Sequence, residues 1–374
     1  MTPPAKPSDE VMIDVQAMER LLQAVYEHAG YSPSEATQIS RNLIGANLRG
    51  HDSHGVIRTA RYIQNLRDGI VFANRDAVVE KENDVLAIID GRFGFGQTVG
   101  PQTVDIGVAK AKQKGVAVTA LKHAGHLGRI GEWAEQAAAS NVASIHMVNA
   151  RGSLLVAPFG GIDRRAGTSP FCAGFPETDG EPVILDFATS LVAEGKALVA
   201  LRGGTPLPDG AIITPEGEPT SDPSPLYGEL DDNQVPSPYS GPGALCSFGL
   251  HKGSGLNFFM EMMGGALTGS GTAGALGDDK RRAVCNGMLS VYLAVEFFHE
   301  DDWLAREVRA YIEFVKSSRP TETGGEVLIP GEKERRIMAE RTVSGLPISG
   351  QAWSDILAAA RSVGLGDDEI QALL

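Results

Sequence analysis

The 374-residue chain has few cysteines and little positive charge. Its three cysteines, Cys172, Cys246 and Cys285, are far apart in the sequence. This odd, widely spaced set offers neither a disulfide framework nor a four-thiolate zinc site, and it is typical of a reducing cytoplasm. Lysine and arginine total 33 against 47 aspartate and glutamate residues, a formal net charge of −14. That charge disfavours non-specific binding to nucleic acid or anionic membranes, since both need a basic surface.

Long apolar runs are also missing. No stretch approaches the roughly 18 apolar residues of a membrane-spanning helix, and residues 1–7 lack the apolar core of a signal peptide. We therefore expect a soluble cytoplasmic protein whose residues 1–10 form a flexible tail. With 374 residues, 45 glycines and 21 prolines, the chain predicts an α/β protein with many turns and two lobes.

Helical and strand patterns alternate along the chain. Helical spacing and end signals predict helices over residues 14–30, 32–49, 99–114, 132–140, 251–267, 303–316, 334–341, 351–363 and 367–374. Strands are predicted over 77–80 and 85–89, which would form a hairpin, and over 116–121, 142–148, 183–186 and 287–295. Residues 201–243, rich in proline, glycine and aspartate, predict a long surface excursion.

The stretch from Arg49 to Gly69 carries the densest group of reactive side chains. Ser53 would cap a helix that ends at Gly69, and His54 and Arg58 would lie four residues apart on one face of it. Arginine binds a carboxylate with two hydrogen bonds, and histidine transfers a proton near neutral pH. The pair suits an anionic substrate with a reducible carbonyl; the alternative is a surface helix with incidental charges.

A second histidine-bearing loop joins the strand 116–121 to the helix that starts at Glu132. Ligands collect at the carboxyl ends of strands in such strand–loop–helix–strand units, and the first amides of the helix can hold a phosphate. His126 lies where such a ligand would bind, unless it is an ordinary loop histidine. Asp186, at the end of a later strand, would orient a histidine, bind a ribose or cap a helix.

Several familiar motifs are missing. The glycines after Asp90 do not have the G-x-G-x-x-G spacing, and there is no Walker loop or G-x-S-x-G sequence. Two H-x-x-H pairs, at residues 51–54 and 123–126, leave a histidine-dependent metallohydrolase as an alternative, although metalloproteases use a helical i, i+4 spacing with a glutamate between the histidines. The residues alone predict an enzyme acting on a small carboxylate, with histidine acid/base chemistry and a phosphate-bearing cofactor.

Six motifs, taken in order and spacing, resemble the malate/L-lactate dehydrogenase-like family, which includes ureidoglycolate and sulfolactate dehydrogenases. They are GHDSHG at 50–55, HLGRIG at 126–131, VAPFG at 156–160, LDFATS at 185–190, HKG at 251–253 and PGE at 330–332. The match covers nearly the whole chain. The resemblance implies an NAD(P)-dependent oxidoreductase that interconverts 2-oxo acids and 2-hydroxy acids by hydride transfer. A cyclic imine-carboxylate reductase of the same family is the alternative.

The same resemblance implies a mixed α/β fold without a Rossmann domain, in agreement with the missing glycine fingerprint. A mixed-sheet NAD(P)-binding domain would span residues 123–299. A helical substrate lobe would be built from both chain ends, residues 11–122 together with 300–374. Because members of the family are homodimers, the active site is expected near a subunit interface.

The resemblance also implies a role for each residue that matches a motif of the family. The acid/base candidates are His54 and His126, and the substrate would be held by Ser53 and Arg58. No metal ion is expected. The residues expected to line the binding site for NAD or NADP are His54, Gly128, Arg129, Ile130, Ile184, Leu185, Asp186, Phe187, Ala188, His251, Asn286, Pro330, Gly331, Glu332 and Lys333. A 2′-phosphate of NADP needs cationic donors, and the candidates are Lys333, Arg335 and Arg336.

Overall fold

The computed structural model of the protein describes residues 10–176, 180–201, 206–229, 236–275, 285–299, 302–322 and 324–374. Residues 1–9 of the predicted tail lie outside the described residues. Glu10, the last residue of that predicted tail, begins the first strand.

The described residues contain twelve strands, and seven of them form one large mixed sheet. The strands are β1 (Glu10–Ile13), β2 (Val78–Glu82), β3 (Leu86–Asp90), β4 (Val116–Ala124), β5 (Val142–Ala150), β6 (Pro170–Phe175), β7 (Val183–Ala188), β8 (Ile212–Ile213), β9 (Pro219–Thr220), β10 (Ala244–Leu245), β11 (Asn286–Ala294) and β12 (Leu346–Ser349). The large sheet has the order β2-β3-β4-β11-β5-β6-β7. Strands β3 and β4 are parallel, and the other neighbours are antiparallel. The predicted mixed sheet is thus confirmed.

Helices cover the sheet and build a separate lobe. They are α1 (Val15–His28), α2 (Pro33–Leu48), α3 (Thr59–Arg67), α4 (Gly96–Lys114), α5 (Gly131–Ala138), α6 (Glu194–Leu201), α7 (Ser224–Tyr227), α8 (His251–Met260), α9 (Trp303–Lys316), α10 (Glu332–Ser344), α11 (Gly350–Ser362) and α12 (Asp367–Leu373). Helix α2 starts where the sequence predicts a helix from residue 32, and Ser32 caps it, since its Oγ accepts a hydrogen bond from the amide of Glu35 at 3.3 Å.

The helical lobe is built from both ends of the chain. Its apolar core combines Met18 of α1 and Leu43 of α2 with Ile356 of α11 and Ile370 of α12. Strands β1 and β12 pair in an antiparallel manner and join the two ends directly. The prediction that both chain ends build a helical lobe is therefore confirmed.

The large sheet has its own core and extends into the N-terminal part of the chain. Ile89 of β3, Trp133 of α5 and Tyr292 of β11 belong to one apolar cluster. The division predicted between residues 122 and 123 falls inside β4, and β2, β3 and most of β4 lie on the side assigned to the helical lobe. The hydrogen bonds between β4 and β11 join the two sides of that division, so the large sheet extends across it.

Much of the predicted excursion forms a small third unit. Strands β8, β9 and β10 make a three-stranded sheet. Its core contains Val192, Ala197, Leu226 and Tyr227, so that α6 and α7 pack together. Residues 202–205 and 230–235 of the excursion lie outside the described residues.

Candidate active site

The segment around His54 is not the single helix that the sequence predicts. Two 3-10 turns, Asp52–His54 and Val56–Arg58, are joined at Gly55, and α3 begins only at Thr59. Ser53 caps no helix; its Oγ lies 3.0 Å from His54 Nδ1. The i, i+4 helical relation of His54 and Arg58 is therefore wrong, although the two side chains do lie close together.

A buried asparagine in α2 explains this local structure. The Nδ2 of Asn47 donates to Asp52 Oδ1 at 2.7 Å, and its Oδ1 accepts from the amide of Val56 at 2.7 Å. A Cβ on Gly55 would lie only 1.9 Å from Asn47 Oδ1, so a glycine is required there. Asn47 replaces helical hydrogen bonds with side-chain bonds and so delays the start of α3.

The two candidate acid/base histidines face each other. The rings of His54 and His126 are stacked, with centroids 5.6 Å apart and an angle of 18° between their planes. Burial, followed by the positive charge of Arg58, lowers the pKa of His126 to about 3. Burial, followed by His126 and then Arg58, lowers the pKa of His54 well below its usual range. Both imidazoles are therefore neutral at neutral pH.

Tyr62 is a site residue that the sequence analysis missed. Its Oη lies 2.7 Å from His126 Nδ1 and accepts a hydrogen bond from Gln97 Nε2 at 3.0 Å. Burial raises the pKa of Tyr62 to about 12, which keeps the phenol protonated. In the sequence Tyr62 counts only as one of the apolar residues of a helix. The hydroxyl in that otherwise apolar stripe was the one signal available, because a buried tyrosine hydroxyl usually needs a partner.

Arg58 lies beside both histidines with part of its guanidinium free. Its Nε donates to the backbone oxygen of Ser53 at 2.5 Å. The two terminal nitrogens make no hydrogen bond within the described part of the chain. A guanidinium held at Nε keeps its terminal fork available for the two oxygens of a carboxylate.

Several predicted cofactor residues meet where α5 starts. The amide of Gly131 donates to Asp186 Oδ2 at 2.7 Å, so that Asp186, within β7, caps α5. Arg129 is only 2% exposed; its Nη2 donates to Glu135 Oε2 at 2.6 Å, while its Nε has no partner among the described residues. Asn286 accepts from the amide of Leu127 at 2.9 Å and so holds the same loop.

The second predicted cofactor segment lies against β7. Gly331 has φ +92°, and a Cβ there would lie 3.3 Å from the amide nitrogen of Ile184, so this glycine packs directly on the strand. Arg335 Nη1 donates to the carbonyl of Pro182 at 3.0 Å, and Arg336 forms an ion pair with Glu326. Lys333 is exposed and, within the described residues, makes no ion pair.

Other predicted cofactor residues occupy varied environments. Gly128 has φ +72° and packs on Asn42 and Gln97, and Ile130 is buried. Leu185 of β7 is exposed, Phe187 packs on Phe171 and Phe248, and Ala188 pairs with Pro170.

The carboxylate of Glu332 bonds Lys316 and the amide of Ile329, the residue before Pro330. His251 begins α8 and contacts Phe159 at 5.9 Å between ring centroids.

The remaining histidines of the H-x-x-H pairs have other partners. His51 Nε2 lies 3.7 Å from Glu334 Oε1, and His123 Nδ1 lies 3.2 Å from Asp90 Oδ1. Over the described ranges, no three histidine, cysteine, aspartate or glutamate side chains are grouped as metal ligands would be. No helix among the described residues is long and apolar enough to cross a membrane.

Known proteins match nearly the whole chain. The malate/L-lactate dehydrogenase family model matches residues 13–357. Hydroxycarboxylate dehydrogenase B of Escherichia coli K12 is 38% identical over 360 residues, 96% of each chain. The structure of sulfolactate dehydrogenase from Methanocaldococcus jannaschii superposes with a TM-score of 0.84 at 29% identity, over 97% of this chain and 99% of that one. For Δ1-piperideine-2-carboxylate reductase from Pseudomonas syringae the TM-score is 0.77 at 25% identity, over 93% and 99%. The chain therefore belongs to the malate/L-lactate dehydrogenase family of oxidoreductases.

Proposed function

We propose that the protein is an NAD(P)-dependent dehydrogenase that interconverts 2-oxo acids and 2-hydroxy acids. The observation that carries the proposal is the stacked pair of His54 and His126, 5.6 Å apart, beside the partly free guanidinium of Arg58. Neutral imidazoles next to a cation suit a substrate that has a carboxylate beside its reacting carbon. The names of relatives, hydroxycarboxylate dehydrogenase B and sulfolactate dehydrogenase, support the same substrate class.

The residues around α5 and β7 fit a nicotinamide dinucleotide. Strand β7 lies at the edge of the sheet and Gly331 packs against its first half, so that no strand of the described residues covers the outer edge next to Asp186. Gly128 and Gly331, both at positive φ, give their loops the backbone turns that bring the predicted cofactor segments against the rest of the protein. The buried Nε of Arg129, which has no partner among the described residues, supplies a donor next to Gly128 in the chain. Of the three candidate cations for a 2′-phosphate, Lys333 makes neither an ion pair nor a hydrogen bond with the described residues, and we propose that NAD and NADP are both used.

Different side chains bind the carboxylate, transfer the proton and orient the substrate. When bound, the nicotinamide supplies or accepts the hydride. Arg58 holds the substrate carboxylate, and Ser53 lies beside it. We assign the proton transfer to His126 Nε2, because Tyr62 occupies Nδ1 of that ring and fixes its orientation. A neutral His126 takes the proton of a 2-hydroxy acid, while reduction of a 2-oxo acid needs the protonated ring. His54, whose Nδ1 bonds Ser53, orients the substrate from the other side.

The proposal includes a cytoplasmic homodimer with its site near the interface. Free Cys172 and Cys285 are buried and Cys246 is partly exposed, as in proteins of a reducing compartment. Large apolar side chains of α9, including Tyr311 at 65% and Phe314 at 74% exposure, are uncovered in the single chain. Exposed apolar stripes of this kind mark association surfaces.

A cyclic imine-carboxylate reductase remains a second candidate, because the Pseudomonas syringae reductase shares the fold. In that reaction Arg58 would again hold the carboxylate, and His126 would give its proton to the nitrogen of the imine. A histidine-dependent metallohydrolase is the alternative from another class, and it predicts loss of activity on chelation.

A substrate panel tests the proposal directly. The purified protein is incubated with NADH or NADPH and a set of 2-oxo acids, with one cyclic imine acid included, while the nicotinamide absorbance is followed. We expect oxidation of either cofactor with at least one 2-oxo acid, retained after exhaustive chelation. Turnover of the imine alone would favour the reductase, and no oxidation with any compound would refute the dehydrogenase assignment.

A further inference from the structure

The first turn of α6 lies directly against Ser53. A Cβ built on Gly195, the second residue of α6, would lie 3.0 Å from Ser53 Cβ and 4.0 Å from Ser53 Cα. The φ of Gly195 is outside the left-handed region, so its backbone conformation does not require glycine. Glycine is also unfavourable inside a helix. The close approach to Ser53 is therefore what explains a glycine at this position.

Hydrogen bonds from the small third unit hold the start of α6 in place. The Oη of Tyr227, a fully buried residue of α7, donates to Glu194 Oε1 at 2.9 Å, at the start of α6. The neighbouring carbonyl of Leu226 accepts from Arg164 Nη2 at 3.1 Å. Arg164 also donates to the carbonyls of Pro238 at 2.6 Å, Gly241 at 2.7 Å and Gly243 at 2.6 Å. A retreat of α6 from Ser53 would break the bond between Tyr227 and Glu194, and Arg164 holds the backbone next to Tyr227 in place.

On the other side, Ser53 is bonded to two residues of the active site. Its Oγ lies 3.0 Å from His54 Nδ1, and its backbone oxygen accepts from Arg58 Nε at 2.5 Å. Any shift of Ser53 is therefore passed to the imidazole of His54 and to the guanidinium that holds the carboxylate. A side chain at position 195 would cause such a shift, since a Cβ–Cβ separation of 3.0 Å is too short for ordinary contact.

We propose that Gly195 is a positioning residue for the substrate site: by lacking a side chain, it lets the braced helix α6 fix Ser53, and through Ser53 it sets Arg58 and His54. The proposal rests on the proposed dehydrogenase function. It gives the small unit built around β8, β9 and β10 a task in substrate binding. The cofactor residues at Gly128–Gly131 and Gly331 are separate from this contact.

Gly195→Ala tests the proposal, with Gly255→Ala as the matched control. Gly255 also lies within a helix, α8, and nothing is within 4 Å of its Cβ direction. For Gly195→Ala we expect kcat/KM for a 2-oxo acid to fall at least about tenfold, mainly through a higher KM, because misplacement by a fraction of an ångström is costly. The Kd for NADH should be unchanged, and the Tm unchanged or raised, since alanine favours a helix.

A double-mutant cycle separates positioning from a general structural effect. Ser53→Gly removes the Cβ that a side chain at 195 would meet. In that background we expect Gly195→Ala to lower kcat/KM by less than about twofold, because the two substitutions act on one contact. Equal losses in both backgrounds would overturn the proposal. If Gly195→Ala folds poorly, recovery of Tm in the Ser53→Gly background supports the proposal, and no recovery overturns it.

The wild-type reaction keeps this test distinct from the test of function. Wild-type turnover together with a Gly195→Ala variant that matches Gly255→Ala would refute the role of Gly195 and leave the dehydrogenase assignment intact. Absence of wild-type turnover with every 2-oxo acid would refute the assignment itself.

Discussion

At the scale of single residues, the proposed role of Arg58 is to select anionic substrates. The chain carries a net charge of −14, so it repels anions in general. An anionic substrate is attracted only where a local positive charge exceeds the negative potential of the rest of the protein. Arg58 provides such a charge next to His54 and His126, and it lowers the pKa of both. A bound carboxylate would offset this charge and raise the pKa of His126, which brings the ring closer to the protonated state needed for reduction.

Replacing Arg58 with lysine should keep the charge and lose the guanidinium fork. The variant also loses the hydrogen bond from Nε to the backbone of Ser53. Loss of charge-assisted hydrogen bonds in a desolvated site costs about 2 to 4 kcal/mol, equivalent to about a 30-fold to 1,000-fold fall in kcat/KM for a 2-oxo acid. Cofactor Kd and Tm should change little. The three quantities are measured together on Arg58→Lys.

Arg61→Lys is the matched control, since Arg61 lies on the exposed side of α3. It should leave kcat/KM as in the wild type. A lowered Tm with unaltered kcat/KM in Arg58→Lys would instead give Arg58 a purely structural role.

At the scale of elements, β5 and β11 are joined by a buried histidine as well as by backbone bonds. His146 of β5 is fully buried; its Nδ1 lies 2.8 Å from Ser290 Oγ on β11, and its Nε2 lies 3.0 Å from Ser144 Oγ. Burial lowers the pKa of His146 to about 3. The ring therefore stays neutral in the folded protein while the same histidine titrates near pH 6.5 in the unfolded chain.

This difference predicts a loss of stability in mild acid. Below about pH 6.5, His146 binds a proton in the unfolded chain but stays neutral in the folded protein. The free energy of unfolding therefore falls as the pH falls. Between pH 7 and pH 5 one such histidine contributes a loss of about 2 kcal/mol. His146→Gln should have a lower Tm than the wild type at pH 7 but a smaller drop on going to pH 5. Identical drops in both proteins would contradict this account.

Elements with a local pattern are well predicted from the sequence. The hairpin of β2 and β3 and the capped start of α2 follow from turn and cap residues adjacent in the chain. Strand β6 was not predicted, because its six residues include proline and glycine and lack a strong β pattern. The position of β11 between β4 and β5 was not predictable either, because it joins residues more than 130 positions apart.

The site shows the same limit. The motifs predicted His54, His126 and Arg58 as site residues, but the start of α3 was misplaced because Asn47 of the preceding helix forms the competing bonds. Tyr62 was missed because its partner, His126, lies 64 residues away in the other lobe. Contacts between lobes depend on tertiary packing, which periodicity does not report.

At the scale of the whole molecule, the site lies where the helical lobe meets the sheet. His54, Arg58 and Tyr62 come from the helical side, and His126 comes from the loop after β4. Gln97, at the start of α4, bonds Tyr62 and so ties the two sides together. The 5.6 Å separation of the imidazoles therefore depends on how the lobes pack, and a partner subunit that braces both lobes would help to hold it.

The exposed stripe on α9 gives a test of the proposed dimer. No residue of α9 is buried, and Trp303, Tyr311 and Phe314 are 45%, 65% and 74% exposed. We expect the wild type to have about twice the single-chain mass of 39.5 kDa by light scattering, because association would cover this stripe. Phe314→Lys should shift the protein towards the single-chain mass and lower kcat/KM, since a buried lysine is unfavourable at an apolar interface. Val343→Lys, at an exposed apolar position of α10, is the control and should remain dimeric. A wild type of single-chain mass, or a fully dimeric and active Phe314→Lys, would refute the assignment of α9 to the interface.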